Sequence, residues 1–287
     1  MTPPDSAQMP RAGLFGYGSI DHVELVAHTI FSQMGFPLEY TPIPYPNDPR
    51  GWFEEDVLEP LARVGVRGVD LIAPAYGYGA LCTDWDDGAR DAGCVDAVSF
   101  PDRGDRRPIG TNLTLAATRA LLAHHHSDLP LDVPVLVRGA GITGSCIITA
   151  LLESSVESIS VYDPDQTAGR RLEASLRARG FGASAIRLVD TDDPALIPRQ
   201  ALVIDCEPAR PGHERRIGPT DPSLHVETRP EPGPTGTPPE LIGPAEFAAF
   251  RAAFSHQKWT RSTIPIPTIL TAAAELAEKR RLPPPSP

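Results

Sequence analysis

Two hydrophobic periods alternate along this chain, and the switches between them mark its elements. Short apolar runs at Ala12–Tyr17, Leu38–Pro44, Val66–Ala73, Val135–Val137 and Ile159–Tyr162 are too short for helices, and their β-branched residues suit strands. Between the first two, Val23, Leu25, Val26, Ile30 and Phe31 recur at helical spacing, with Asp21 placed to cap the helix and Gly35 to end it. Phe53–Val64 and a segment ending at Ala89–Gly93 repeat the helical pattern, and Cys94–Phe100 with Arg107–Asn112 reads as a pair of strands. Strands that alternate with helices predict an α/β fold with a largely parallel sheet. The tail Ile269–Arg281 is helical and amphipathic.

The stretch Val135–Asp163 carries the clearest signal. A buried-type strand runs into Gly139-Ala140-Gly141-Ile142-Thr143-Gly144, a helix follows, and a second strand ends in Asp163. Strand, glycine turn, helix, strand and acid is the order of a dinucleotide-binding unit. Gly139 suits the tight turn, Gly141 lets backbone approach a pyrophosphate, and Gly144 permits close helix–strand packing. The helix read over Ser145–Glu153 presents free amides and a positive end to the phosphates, and Ala140, Ile142 and Thr143 belong to the same cofactor loop. Asp163 stands where a carboxylate accepts hydrogen bonds from a ribose and repels a 2′-phosphate, which favours NAD over NADP; Arg170 and Arg171 pull the other way.

Composition narrows the partners. The 287 residues suffice for two domains, and a net charge of −11 without a long basic run argues against nucleic acid. No apolar stretch reaches membrane-spanning length, and the N-terminus lacks a signal-peptide pattern, so the expected location is the cytoplasm. Cys82, Cys94, Cys146 and Cys206 form no C-x-x-C pair, which reads as reduced thiols. His124-His125-His126 sits at a helix end before a proline-rich link and reads as solvated surface, so no metal site is expected. Many of the 33 prolines fall in Pro208–Pro244 and Pro283–Pro287, which predicts irregular structure there.

The order of these pieces resembles the shikimate dehydrogenase family, whose members reduce 3-dehydroshikimate or oxidise quinate with NADP or NAD. The resemblance rests on Gly13–His28, Arg67–Gly77, Ala92–Val98, Gly110–Thr114, the glycine loop, Leu202–Pro208 and Ala252–Thr260. It implies a two-domain fold: a substrate-binding α/β domain over 1–114, completed by C-terminal helices over 246–287, and a Rossmann domain over 115–245. It also implies a reactive cleft between them, and Cys206 near the nicotinamide end of the cofactor.

Set against that pattern, this chain departs at the reacting positions. Tyr76 stands where the family has its lysine, and Thr114 where it has its aspartate; Asn112 is kept. The only lysines are Lys258 and Lys279. Loss of acid–base help costs about 10²–10⁴-fold in rate, so Tyr76 and His22 become the candidate proton donors, with Asn112 orienting the substrate. The family's carboxylate-binding serines align with His22 and Glu24, two of its asparagines with Asp70 and Asp96, and its late glutamine with Arg251. Glu24, Asp70, Asp96, Thr114 and Arg251 therefore line the implied substrate pocket, and their charges suit a small polar acid or amino-acid-like compound better than shikimate. His28 reads as structural. Three functions stay open: an oxidoreductase with a changed small-molecule substrate, an inactive or regulatory nucleotide-binding paralogue, and non-redox chemistry in the implied cleft, such as elimination or isomerisation. A homodimer also stays open, because no sequence feature fixes the oligomeric state.

Overall fold

A computed structural model of the chain describes residues 10–16, 23–44, 58–71, 79, 84–100, 107–126, 134–182, 184–190, 202–206, 225–228 and 240–281. Two six-stranded sheets organise them. The first contains β1 (Arg11–Gly16), β2 (Glu39–Pro44), β3 (Gly68–Leu71), β4 (Asp84–Trp85), β5 (Ala97–Ser99) and β6 (Ile109–Thr111), in the order β2-β1-β3-β5-β6-β4. β1 pairs parallel with β2 and β3, whereas β5 runs antiparallel to both β3 and β6. The strand pair expected from the sequence is thus present as the antiparallel β5–β6 pair.

The second sheet contains β7 (Val135–Arg138), β8 (Ile159–Tyr162), β9 (Arg187–Val189), β10 (Leu202–Asp205), β11 (His225–Thr228) and β12 (Glu240–Ile242), in the order β12-β11-β10-β7-β8-β9. β7 to β10 are parallel neighbours, and β11 and β12 extend the sheet antiparallel. These last two strands correct the expectation of irregular chain at 225–228 and 240–242; the remaining proline-rich stretches of 208–239 lie outside the described residues. An antiparallel edge needs only a few residues, and Val226 and Thr228 supply β-branched side chains between the proline-rich flanks.

The helices are α1 (Val23–Gln33), α2 (Glu59–Arg63), α3 (Asp87–Ala92), α4 (Leu113–His124), α5 (Ile142–Glu153), α6 (Gln166–Ala178), α7 (Pro244–Thr260) and α8 (Ile266–Arg281). Three start on sequence-encoded caps: Asp86 accepts from the Ala89 amide at 2.9 Å, Asn112 from Leu115 at 2.7 Å, and Asp165 from Thr167 at 2.9 Å. Gly93 ends α3 with φ +69°, a conformation that favours glycine.

α4 carries the chain from the first sheet to the second, and α7 follows the second sheet's last strand and packs back on α4 and α1. One apolar core runs through this junction, joining Ile30 and Phe31, Leu115 and Leu121, Ile147 and Leu151, Phe247 and Phe250, and Leu276. Each such side chain, fully buried, is worth roughly 1.5–3 kcal/mol. Trp259 of α7 packs against β3; a Cβ at Gly68 would sit 2.2 Å from its buried ring, so glycine is required there.

Candidate functional site

The glycine loop forms where β7 meets α5. Gly139 turns at φ +97°, and a Cβ on Gly144 would fall 1.9 Å from the Gly139 carbonyl oxygen, so neither position admits a larger residue without backbone movement. Gly141 is the N-cap of α5, has no side chain to cap it, and faces open space where a Cβ would stand. Ile142 packs partly on the core, Thr143 is buried, and the first turn of α5 presents its amides at the rim. Asp163 closes the loop from β8: one carboxylate oxygen accepts the Ala140 amide at 2.7 Å and the other the Asp165 amide at 2.7 Å. A carboxylate has lone pairs to spare beyond two such bonds, so Asp163 keeps acceptor capacity. Cys206 follows β10 and donates its amide to the Arg138 carbonyl at 2.8 Å; its Cβ lies 4.0 Å from where a Cβ on Gly144 would be. Gly139 to Gly144, Asp163 and Cys206 therefore converge at the carboxyl ends of β7, β8 and β10. The uncapped helix start and the space beside Gly141 fit a dinucleotide's pyrophosphate.

The second group of predicted residues is assembled differently. Asp70, Asp96, Thr114 and Arg251 come together from β3, the loop before β5, α4 and α7, and all four are buried. Asp96 accepts the backbone amides of Leu113 and Thr114 at 2.7 and 2.8 Å, so it caps the start of α4. Arg251 Nε donates to Thr114 Oγ1 at 3.2 Å, its Nη2 to the Leu71 carbonyl at 3.4 Å, and it stands 3.9 Å from Asp96. Asp70 accepts from Ser255 Oγ at 2.7 Å and from Tyr40 Oη, with His28 Nε2 at 3.7 Å. His28 stacks between Tyr40 and His256, with ring centroids at 3.6 and 4.8 Å.

Burial disfavours charge throughout this cluster, and the neighbours decide who keeps it. Burial raises the Asp96 pKa, and Arg251, Thr114 and the two amides offset only part of that, so it lies above the usual carboxylate value. For Asp70 the balance reverses: burial again works against ionisation, but His28, Arg251 and Tyr40 together hold its pKa below the usual value. Burial, with His28 beside it, pulls His256 down to about 3, so this ring is neutral at pH 7. The charges of Asp70, Asp96 and Arg251 are thus spent on one another and on fixed backbone dipoles.

Asn112, expected to orient a substrate, is occupied as well. Its Oδ1 caps α4, and its Nδ2 donates to the Cys94 carbonyl at 3.2 Å. Cys146 of α5 reaches Asn112 Oδ1 at 3.4 Å, and Ser145 Oγ donates to the Ala92 carbonyl at 3.2 Å, so the helix behind the glycine loop rests directly on the first sheet's connections. Burial pushes the Cys146 thiol well up, which keeps it protonated. His22, Tyr76, Tyr78, Cys82 and Glu207 lie outside the described residues; Glu24 lies on α1, its side chain outside them.

Several members of this site went unread in the sequence. Tyr40, Ser255 and His256 complete the surroundings of Asp70, and the signal for Ser255 was present: four residues after Arg251, it interrupts the apolar face of a helix otherwise lined by Phe247 and Phe250. Lys258 pairs with Asp86 at 3.1 Å beside Thr111, an ion pair at the first sheet's edge. His125, expected on a solvated surface, is instead half-buried against Glu246 at 2.7 Å, because α7 starts beside the end of α4.

Comparison with known proteins bears on this arrangement. No family model matches the chain. A shikimate dehydrogenase (NADP(+)) of Arthrobacter sp. (strain FB24) is 29% identical over 163 residues, a match that spans 55% of this chain and 54% of that relative. Quinate dehydrogenase from Corynebacterium glutamicum in complex with NAD superposes with a TM-score of 0.69 at 16% identity, covering 93% of this chain and 99% of its own. Shikimate 5-dehydrogenase from Thermus thermophilus in complex with shikimate gives 0.64 at 18% identity, with 94% and 100% covered. The 5-ketofructose reductase of Gluconobacter sp. strain CHM43 gives 0.67 at 12% identity, with 94% and 99% covered. By sequence this chain is similar to a shikimate dehydrogenase over about half the length of each, and by fold it shares the two-domain α/β architecture of the shikimate and quinate dehydrogenases.

Proposed function

We propose that this chain is a nicotinamide-dependent oxidoreductase that prefers NAD and acts on a small polar acid or amino-acid-like compound in place of shikimate. The observation that carries the cofactor half is the glycine loop with Asp163 at its side: an acid two hydrogen bonds deep in the loop disfavours a 2′-phosphate. The substrate half rests on Thr114 at the position of the acid–base aspartate, its hydroxyl engaged by Arg251, and on Asp70, Asp96 and Arg251 in place of the neutral amides that suit a polyol acid. In this reading Tyr76 or His22 moves the proton while hydride passes to the nicotinamide, Asn112 holds α4 in place, and Glu24 recognises a cationic group of the substrate. The buried Asp70 and Asp96 then act indirectly, by fixing the position of Arg251.

A second reading has its own support. Thr114 is buried with its hydroxyl engaged by Arg251, so nothing at the aspartate's position can take a proton, as expected of a nucleotide-binding paralogue without turnover.

Calorimetric titration with NAD, NADP and shikimate, each alone, separates these. NAD binding at least tenfold tighter than NADP, with no heat from shikimate, is the expected result. Screening amine- and hydroxyl-bearing acids for reduction of bound NAD follows. Nucleotide binding with no turnover on any of them favours the second reading, and tight shikimate binding overturns the first. Glu24→Ser should shift the preference away from cationic substrates; unchanged preference removes Glu24 from the recognition scheme.

A further inference from the structure

A cluster of metal-ligating side chains lies away from both groups described above. His124 and His125 end α4, and Glu246 lies in the first turn of α7. One donor atom from each falls within 4.8 Å of the other two. His125 Nε2 and Glu246 Oε1 are 2.7 Å apart, with only 16% and 18% of their side-chain surfaces exposed, and the His124 ring meets the His125 ring edge-on at a centroid distance of 4.9 Å. These rings are therefore held against each other by packing.

We propose that His124, His125 and Glu246 bind a divalent transition-metal ion of the zinc class. Two imidazoles and one carboxylate match the donor preference of such ions and leave a fourth tetrahedral position open; calcium and magnesium prefer all-oxygen shells. Bond lengths of about 2.0–2.2 Å place ligand atoms roughly 3.3 Å apart around a tetrahedral ion. The His125–Glu246 contact needs to open only slightly from 2.7 Å to reach that spacing, and His124 needs to close a larger gap, from at most 4.8 Å, by side-chain rotation. The end of α4 adds its own partial negative charge, which favours a cation.

The position gives the site a role. α4 is the segment on which the chain leaves the first sheet for the second, and α7 is the one that follows the second sheet and packs back along α4. A second polar link between them, Arg251 to Thr114, lies at the opposite end of α4. An ion at His124, His125 and Glu246 clips the second end, so both crossings between the two sheets are fixed at once.

The test is zinc titration of the full-length, tag-free chain by calorimetry, with cobalt absorption and thermal unfolding beside it. The expected result is one zinc ion per chain at micromolar affinity, weakened about tenfold or more by His125→Ala and by Glu246→Gln, and left within twofold by His126→Ala. Cobalt should give the visible bands of a tetrahedral site without sulfur-to-cobalt charge transfer. Zinc should raise the unfolding midpoint of the wild-type chain and not that of folded Glu246→Gln. Absence of saturable binding at micromolar zinc overturns the proposal, as does equal affinity in both ligand variants or a cobalt spectrum with thiolate charge transfer.

Discussion

The glycine loop and the Asp70–Asp96–Arg251 cluster both gather polar groups beside a sheet, yet they solve opposite problems. The loop keeps polar groups available: its helix start is uncapped, and Gly141 leaves space in front of it. The cluster does the reverse, taking two acids, an arginine and two histidines out of water and pairing the acids and the arginine with side chains and backbone groups inside. A site made of backbone persists as long as its glycines do. A site made of charged side chains persists only while every partner is present, because one unpaired charge in the interior costs more than the pair contributes.

That difference can be broken most visibly at Arg251. Arg251→Gln leaves Asp96 without its cationic neighbour, and denaturant unfolding should show a loss of about 3–5 kcal/mol. Adding Asp96→Asn in the same chain should recover more than half of that loss. Simple additivity of the two changes would show that the cluster is not a coupled unit.

At the loop, Gly144→Ala forces a methyl group onto the Gly139 carbonyl, with an expected cost of about 3 kcal/mol and loss of detectable NAD binding. Retained NAD affinity would mean that the loop is not the nucleotide site.

Acid should act on the cluster before it acts on the loop. His256, on α7, faces His28 of α1 and Asp70 of β3, with Tyr40 of β2 stacked behind His28. Its native pKa of about 3 lies below the unfolded value of about 6.5, so the unfolded state binds the extra proton between them. Stability is full above the unfolded value and falls as pH drops toward the native one. Asp70, with its pKa lowered, adds to the loss at the acid end, whereas Asp96, with its pKa raised, opposes it. The expected loss is on the order of 2–3 kcal/mol between pH 7 and pH 4. His256→Gln should flatten the slope; an unchanged slope would assign the acid sensitivity elsewhere.

The smallest effect is expected at Asp163. Asp163→Asn keeps an acceptor for the Ala140 amide but removes the charge, so NAD should weaken by roughly 1 kcal/mol while NADP gains. Parallel titrations of both cofactors read this directly, and an unchanged ratio would separate Asp163 from cofactor choice.

The sequence carried the fold a long way. β-branched runs and helical periods located most strands and helices, and the glycine spacing located the loop, because backbone constraints are local: a glycine needed at φ +97° or against a carbonyl is legible one residue at a time. β11 and β12 escaped because proline content masks short edge strands. The chemical meaning of Asp70, Asp96 and Arg251 was less legible. Their identities suggested an open charged pocket, and only packing revealed that β3, α4 and α7 close around them. Residue type by itself determined that this chain has an α/β fold with a G-x-G-x-x-G turn between a strand and a helix, and that its only lysines are Lys258 and Lys279. Tertiary structure decided which charges are spent inside, that His125 meets Glu246, and that Tyr40 and Ser255 serve Asp70. Those pairings join residues 30 to 185 positions apart, and the free energy of a charge depends on what the fold brings beside it.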